Sequence, residues 1–273
     1  MIFERRTVDV VPTPVGERII RQARTVLSEA EHILEIAQVD RDPLNGPLKL
    51  GVIYTVSPYL LPELVRRSVA RTPQMPLLLT EDYTVNLLQK LKNGQIDAAI
   101  LAMPVGETGL MECDLYDEDF VVVVPKHHRL AKEKIITPSA LANENMLILA
   151  QGNCFRDQVL EVCPETMRVG SADGLTHQLE GSSLATIRHM VASGLGVSVF
   201  PASARNYDVG DSLVTYIDFA DPVPTRRVGI VWRKSFPRTE AIMAVVKACQ
   251  SIRLEGITHL PAKPHLTEEP AQQ

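Results

Sequence analysis

A basic excess is missing from this sequence. Its 273 residues carry 28 Lys and Arg against 33 Asp and Glu, a net charge of -5. A nucleic-acid-binding domain usually shows a basic excess or stripe, so the bulk of the chain is not a DNA-binding surface. Long apolar runs are missing too. None approaches the roughly 18 residues of a membrane span. The start, Met1-Ile2-Phe3-Glu4-Arg5-Arg6, lacks the apolar segment of a secretory signal. These absences point to the cytoplasm, with no membrane partner, where thiols are kept reduced. The 4 cysteines are then no disulfide framework, and each is core filler, a metal ligand or a redox group. There is no CxxC pair and no internal repeat. What is present is an ordinary globular balance, 45% hydrophobic and 22% charged, enough for one or two domains with a full core.

Thr13-Pro14 opens the first element, because Thr is a good N-cap and Pro suits the first helical position. Ile19, Val26 and Ile33 lie seven apart, as do Ile20, Leu27 and Leu34, and Ala23, Ala30 and Ala37. Three apolar heptad positions over three heptads predict a helix at 13–39 that packs on another helix. A helix lying on its own domain is the alternative. Its terminal position and the breaker-rich linker Asp40-Arg41-Asp42-Pro43-Leu44-Asn45-Gly46-Pro47 favour dimerisation. Beyond it, strands at 48–53, 76–80, 96–102, 146–150, 197–200 and 228–233 alternate with helices at 58–71, 85–92, 183–193 and 239–252. A continuous apolar run at 120–124 is of the buried kind. The alternation predicts an α/β fold, with mostly parallel strands in more than one sheet. The polar, Pro-containing segment 261–273 is expected to be disordered.

Chemistry concentrates at Gln151-Gly152-Asn153-Cys154-Phe155-Arg156-Asp157-Gln158, with Cys163-Pro164 following. Gly152-Asn153 signals a turn. Residues 155–162 hold no breaker and read as a short helix that Pro164 stops. Cys154 then sits at a helix N-terminus, where partial positive charge favours a thiolate, and Arg156 adds a full charge nearby. A thiolate attacks peroxide and becomes a sulfenic acid, which a second thiol captures as a disulfide. Cys163 is the candidate second thiol. An intact helix would hold the two roughly 13 Å apart on opposite faces, and a disulfide needs Cα atoms within about 7 Å. Bonding would therefore remodel the segment. The plain alternative is two small buried residues. Nine-residue spacing with no nearby Cys or His pair is not a metal-ligand pattern. Cys249 shares a helical face with Ile242, Val245, Val246 and Ile252 and reads as core, and Cys113 is structural by default.

The segment Gly152 to Gln158 followed by Cys163 resembles the redox motif of the peroxide-sensing branch of the LysR-type transcription regulators. Gly51-Val52-Ile53-Tyr54-Thr55-Val56-Ser57-Pro58-Tyr59-Leu60-Leu61-Pro62 resembles that branch's first effector strand and helix. Ser183-Leu184-Ala185-Thr186-Ile187-Arg188-His189-Met190-Val191-Ala192-Ser193-Gly194-Leu195-Gly196 is similar to a segment common to LysR-type regulators at large. The resemblance spans about residues 1–255. It implies two α/β subdomains like those of periplasmic binding proteins, joined by two crossover strands and preceded by a long dimerisation helix. Residues 1–12 would be the remnant of a winged helix-turn-helix wing and 13–39 the dimerisation helix. Residues 47–118 and 222–257 would form regulatory subdomain I. Residues 119–221 would form subdomain II, with both redox cysteines.

The resemblance also implies a site for hydrogen peroxide and no cofactor. Cys154 would be the peroxidatic cysteine and Cys163 the resolving one. Thr55 and Thr84 would bind peroxide and a bridging water through their hydroxyls, Gly152 through its backbone, and Arg233 would lie near the thiol. Each threonine also precedes a helix, so ordinary capping is the alternative for both. The implied partners are further copies of the chain, as a dimer or tetramer, and a cellular thiol reductant. Promoter DNA and RNA polymerase would be reached through the intact protein, which controls oxidative-stress genes. Two features depart from the branch. A histidine commonly precedes the peroxidatic cysteine, and here it is Asn153, whose amide cannot accept a proton or carry charge as imidazole does. Ile2-Phe3-Glu4-Arg5-Arg6 resembles the end of the DNA-binding domain with nothing before it, so the chain alone is not expected to bind a specific promoter. Three other functions compete. A LysR-type effector domain for a small metabolite would make the cysteines incidental. A thiol peroxidase is disfavoured by the absence of CxxC and of a reductant-docking site. A periplasmic binding protein is disfavoured by the missing signal.

Overall fold

The computed structural model describes residues 1–5, 9–39, 42–164, 180–181, 183–207 and 213–267. A hairpin comes first: β1 (Phe3–Arg5) pairs antiparallel with β2 (Val10–Pro12). Thr13 then caps α1 (Pro14–Val39), with the Gly16 backbone N–H donating to Thr13 Oγ1 at 3.0 Å. The helix runs for 26 residues. Ile19, Val26, Leu27 and Ile33 of its heptad pattern are exposed. The side chains of Leu34 and Ala37 lie outside the described residues.

The first core is built on β3 (Leu48–Ile53), α2 (Ser57–Arg71), β4 (Leu77–Asp82), α3 (Thr84–Lys92) and β5 (Ala98–Met103). The strands β4, β3 and β5 lie side by side and parallel. Residues 98–101 of β5 have no exposed surface, as expected for a strand covered on both faces. Gly51 on β3 makes this packing close. A Cβ there would stand 2.7 Å from Leu87 Cδ2 and 2.8 Å from Ile96 Cδ1, so the missing side chain is what lets α3 settle on the sheet. The returning β12 (Thr225–Arg233) and α6 (Thr239–Gln250) complete this core, with Trp232, Ile242 and Val246 inside.

The strand β6 (Leu110–Pro125) is 16 residues long and serves both halves of the molecule. Its first part pairs with β12, from Leu110 against Arg233 to Asp119 against Thr225. Its second part, Phe120 to Val124, belongs to a second core. There it pairs with β10 (Ser198–Pro201) and β11 (Val214–Phe219), and β11 pairs with β7 (Ile135–Ile136). That core also takes in β8 (Ile148–Leu149), α4 (Cys154–Val162) and α5 (Leu184–Ala192). The strand β8 pairs in parallel with β9 (Glu180–Gly181).

Two expectations need correction. The strands are not mostly parallel, because β12 and β6 run antiparallel to their neighbours. The chain leaves the first core along β6 and returns along β12, so these two strands oppose each other. Nor is 261–273 disordered throughout. A strap of β13 (Ile257–His259) and β14 (His265–Leu266) pairs along β6, and the Thr267 backbone N–H donates to Leu110 O at 3.1 Å. A polar segment is ordered here because β6 offers unpaired backbone groups that it can satisfy. Residues 268–273 lie outside the described residues.

Gly51→Val would force Leu87 and Ile96 apart and displace α3. We expect a loss of about 1–3 kcal/mol in urea unfolding; an unchanged midpoint would show that α3 does not need the close approach.

Candidate functional site

Gly152 has φ +95°, a left-handed conformation that other residues adopt with strain. It turns the chain into α4, with Asn153 at the N-cap position. The Asn153 side chain is buried and its Nδ2 donates to Ala150 O at 3.0 Å, tying the turn to itself rather than capping the helix. Cys154, half-buried, begins α4 and packs against the first core. Its neighbours on the same helix, Phe155 and Val159, belong to the second core. The thiol therefore sits where the two cores meet.

The side chain that bonds the thiol comes from the start of α3. Thr84 Oγ1 donates to Cys154 Sγ at 3.7 Å. Tyr83, adjoining Thr84, stands edge-on to Tyr54 with ring centroids 5.3 Å apart. A Cβ on Gly152 would lie 3.9 Å from Tyr83 Cδ1, so the turn and this aromatic pair are neighbours. Thr55 is buried. Its Oγ1 and its backbone O accept from Arg226 Nη1 and Nη2, each at 2.9 Å. Neither threonine caps its helix. The N-cap positions are Val56 for α2 and Tyr83 for α3, without side-chain cap bonds. The Thr84 hydroxyl is instead directed at the thiol, and that of Thr55 at Arg226.

Arg226 is the arginine beside this site. Its guanidinium lies 5.0 Å from the centre of the Phe155 ring and is paired with Glu118 at 2.7 Å. Burial acts to lower the Arg226 pKa, but the charge of Glu118 above all opposes it, and the net shift is upward. The expectation for Arg233 needs correction. Arg233 Nη1 donates to Leu91 O at 2.5 Å and Ile96 O at 2.9 Å. Leu91 is near the end of α3, about two turns from Thr84, or on the order of 10 Å. Strand alternation explains the misplacement, since either of the adjacent arginines Arg226 and Arg227 could face inward. Arg227 faces outward onto Asp117 and Asp114. That charged pair inside a strand was the signal for Arg226, and nothing local in sequence pointed to Glu118. Arg156 bonds to the backbone of β8. Its Nη1 donates to Leu149 O at 2.7 Å and holds β8 to α4.

Cys163 terminates α4 as its C-cap, buried in the second core. Burial pushes its thiol up to about 11. All four cysteines are free thiols. The nine residues of α4 place its ends roughly 13 Å apart, beyond disulfide reach. Cys113 and Cys249 lie in the first core. Burial raises both thiols, Cys249 to about 12. No three His, Cys, Asp or Glu side chains among the described residues are grouped to hold a metal ion. The arrangement is therefore a nucleophile with one hydroxyl donor, a helix N-terminus and a buried cation close by, and a second thiol sequestered at the far end of a short helix.

The description "LysR substrate binding domain" fits residues 41–252. A Streptomyces viridosporus protein described as a probable hydrogen peroxide-inducible genes activator is 39% identical over 264 residues, 96% of this chain and 82% of that one. A full-length OxyR variant from Pseudomonas aeruginosa superimposes with TM-score 0.77 at 42% identity, over 93% of this chain and 83% of that one. A hydrogen-peroxide-bound cysteine-to-serine OxyR variant from Corynebacterium glutamicum gives TM-score 0.72 at 32% identity, over 92% of this chain and 78% of that one. The mixed α/β fold with its curled sheet is the one these structures share. The chain belongs to the LysR family of transcription regulators and carries that family's substrate-binding domain.

Proposed function

We propose that this chain is the hydrogen-peroxide-sensing effector region of a LysR-type regulator, with Cys154 as peroxidatic and Cys163 as resolving cysteine. The observation that carries the reading is the Thr84 hydroxyl directed at Cys154 Sγ, at the start of a helix whose far end holds a buried second thiol. The Cys154 thiolate attacks one peroxide oxygen. An S–O bond forms, the O–O bond breaks and hydroxide leaves to be protonated to water. The sulfenic acid is then attacked by Cys163, the S–S bond forms and a second water leaves. Two thiols are oxidised and one peroxide is reduced to two waters.

Thr55, Thr84, the Gly152 backbone and Asn153 form the peroxide pocket. Peroxide is small, neutral and polar, so recognition needs convergent hydroxyl and backbone groups. Arg226 takes the part that the resemblance gave to Arg233, and Arg156 anchors the helix that must unravel. The regulatory subdomains are 47–118 with 222–257, and 119–221, which supports a site between two separately packed cores. The hairpin at 1–12 is the wing remnant. The exposed apolar positions of α1 join copies into a dimer or tetramer. Oxidation changes how the copies pack, which moves the DNA-binding domains of the intact regulator and alters its contact with promoter DNA and RNA polymerase. A cellular thiol reductant resets the disulfide, so the chemistry is a signal and not enzymatic turnover. No described helix is long and apolar enough to cross a membrane, in keeping with a place in the cytoplasm.

Native reduced protein treated with iodoacetamide at pH 8 is expected to label Cys154, with Cys113, Cys163 and Cys249 protected until unfolding. Labelling of Cys163 at the rate of Cys154 would contradict its burial. After one equivalent of peroxide, non-reducing peptide mapping should find Cys154 linked to Cys163; a sulfenic acid that never resolves, or no oxidation at all, defeats the assignment. Asn153→His restores a group able to take up a proton beside the thiol. We expect stopped-flow peroxide oxidation to accelerate on the order of tenfold, and an unchanged rate would show the position to be indifferent.

A further inference from the structure

The Arg226–Glu118 pair is the most deeply buried ion pair described, with side chains 0% and 1% exposed. The two residues face each other across paired strands, Arg226 on β12 and Glu118 on β6. Glu118 Oε2 accepts from Arg226 Nε at 2.8 Å and from Nη2 at 2.7 Å. Its Oε1 accepts from the Ser203 backbone N–H at 3.3 Å. With Thr55 holding the other edge of the guanidinium, the plane of that group is fixed from two sides. Its neighbour across the core boundary is Phe155, the residue after Cys154.

We infer that Glu118 is a positioning residue for the reaction of Cys154: it holds the Arg226 guanidinium against the Cys154–Phe155 turn and offsets its charge. The inference rests on Cys154 being the sensing thiol. A carboxylate in two-point contact with a buried guanidinium cancels much of the field that reaches beyond the pair. The thiol therefore meets a screened cation. Removing the carboxylate charge while keeping the side-chain shape exposes Cys154 to the full cation and favours the thiolate. The other charged or titratable groups around the pair are Tyr59 of α2, Tyr116 and Asp119 of β6, Tyr216 of β11 and Arg188 of α5. Burial raises all three phenols, so they remain neutral while a thiol titrates. Asp119 is likewise raised, first by burial and then by the charges of Asp218 and Glu118.

The test is the pH profile of Cys154 alkylation in the whole chain, read by peptide mass spectrometry. Glu118→Gln should move the midpoint to lower pH by roughly half a unit, about threefold in rate at a fixed pH on the acid side. Glu118→Asp keeps the charge and should leave the midpoint at the wild-type position. A fixed midpoint in both variants, or an equal slowing of both, means that Glu118 only packs, and overturns the inference. Should Glu118→Gln fail to fold, the double variant Glu118→Met with Arg226→Met takes its place, since no buried charge is left unmatched. A midpoint near wild type then supports a screened cation, and an alkaline shift of about a unit or more overturns it. Peroxide enters none of these measurements. A Cys154 that ignores peroxide would defeat the sensing role and leave this inference standing, and a fixed midpoint would do the reverse.

Discussion

A short α-helix keeps two sulfur atoms apart, and the organisation of the site depends on that separation. The nine residues of α4 give the two thiols different surroundings. Cys154 touches the first core at the helix N-terminus, and Cys163 is packed in the second core at the other end. A rigid rod of this length cannot bring them within bonding distance. A bond between them and an intact α4 are mutually exclusive states. A disulfide between them would therefore require a change of fold. A disulfide between residues already in contact would only staple the structure that was there.

The two crossing strands explain how such a change is felt outside α4. The strand β6 pairs with β12 in the first core and with β10 and β11 in the second. The buried Arg226–Glu118 pair ties β12 to β6 close to where β6 passes from one core to the other. Arg226 also holds the loop before α2 through Thr55 and faces Phe155 on α4. One guanidinium therefore touches both crossing strands, the first core and the switch helix. Breaking a buried pair by removing one partner typically costs about 3–5 kcal/mol, so the pair holds the reduced arrangement in one geometry. The Phe155 ring of α4 covers one face of that guanidinium. The reduced state is thus sensitive to α4 at the point where its two cores are joined.

Much of this was legible in sequence, and the failures have physical causes. Thr13-Pro14 and the heptad positions gave α1 its start and its length, because capping and periodicity are local properties. The turn at Gly152-Asn153 and the stop at Pro164 bounded α4 to within a residue. Long-range pairing was harder. Only Phe120 to Val124 of β6 is a continuous apolar run. The preceding Glu112, Asp114, Asp117 and Glu118 disguise the strand, although Glu112 and Glu118 are buried by partners distant in sequence. The strap at 257–267 is polar, and only the open edge of β6 makes it a pair of strands. Thr55 and Thr84 looked equally suited to capping. Their partners, Arg226 donating to Thr55 and Cys154 accepting from Thr84, lie 171 and 70 residues away. Arg233 was placed by resemblance alone, and the choice between neighbouring arginines needed the strand's facing, which the local pattern left open.

The cost of undoing α4 sets whether the switch is practicable. Nine residues are too few for a helix to be stable in water by itself, so α4 is held by packing. Its buried residues are Phe155 and Val159, with Cys163 at the boundary. Exposing two such side chains costs about 1.5–3 kcal/mol each. The first core contains larger anchors, with Leu60, Leu61 and Leu64 buried on α2 and Ile242, Val245 and Val246 on α6. The energy needed to unravel α4 is therefore a few local contacts, well below that of opening either core. The fold sets a small, lightly packed segment beside two larger cores.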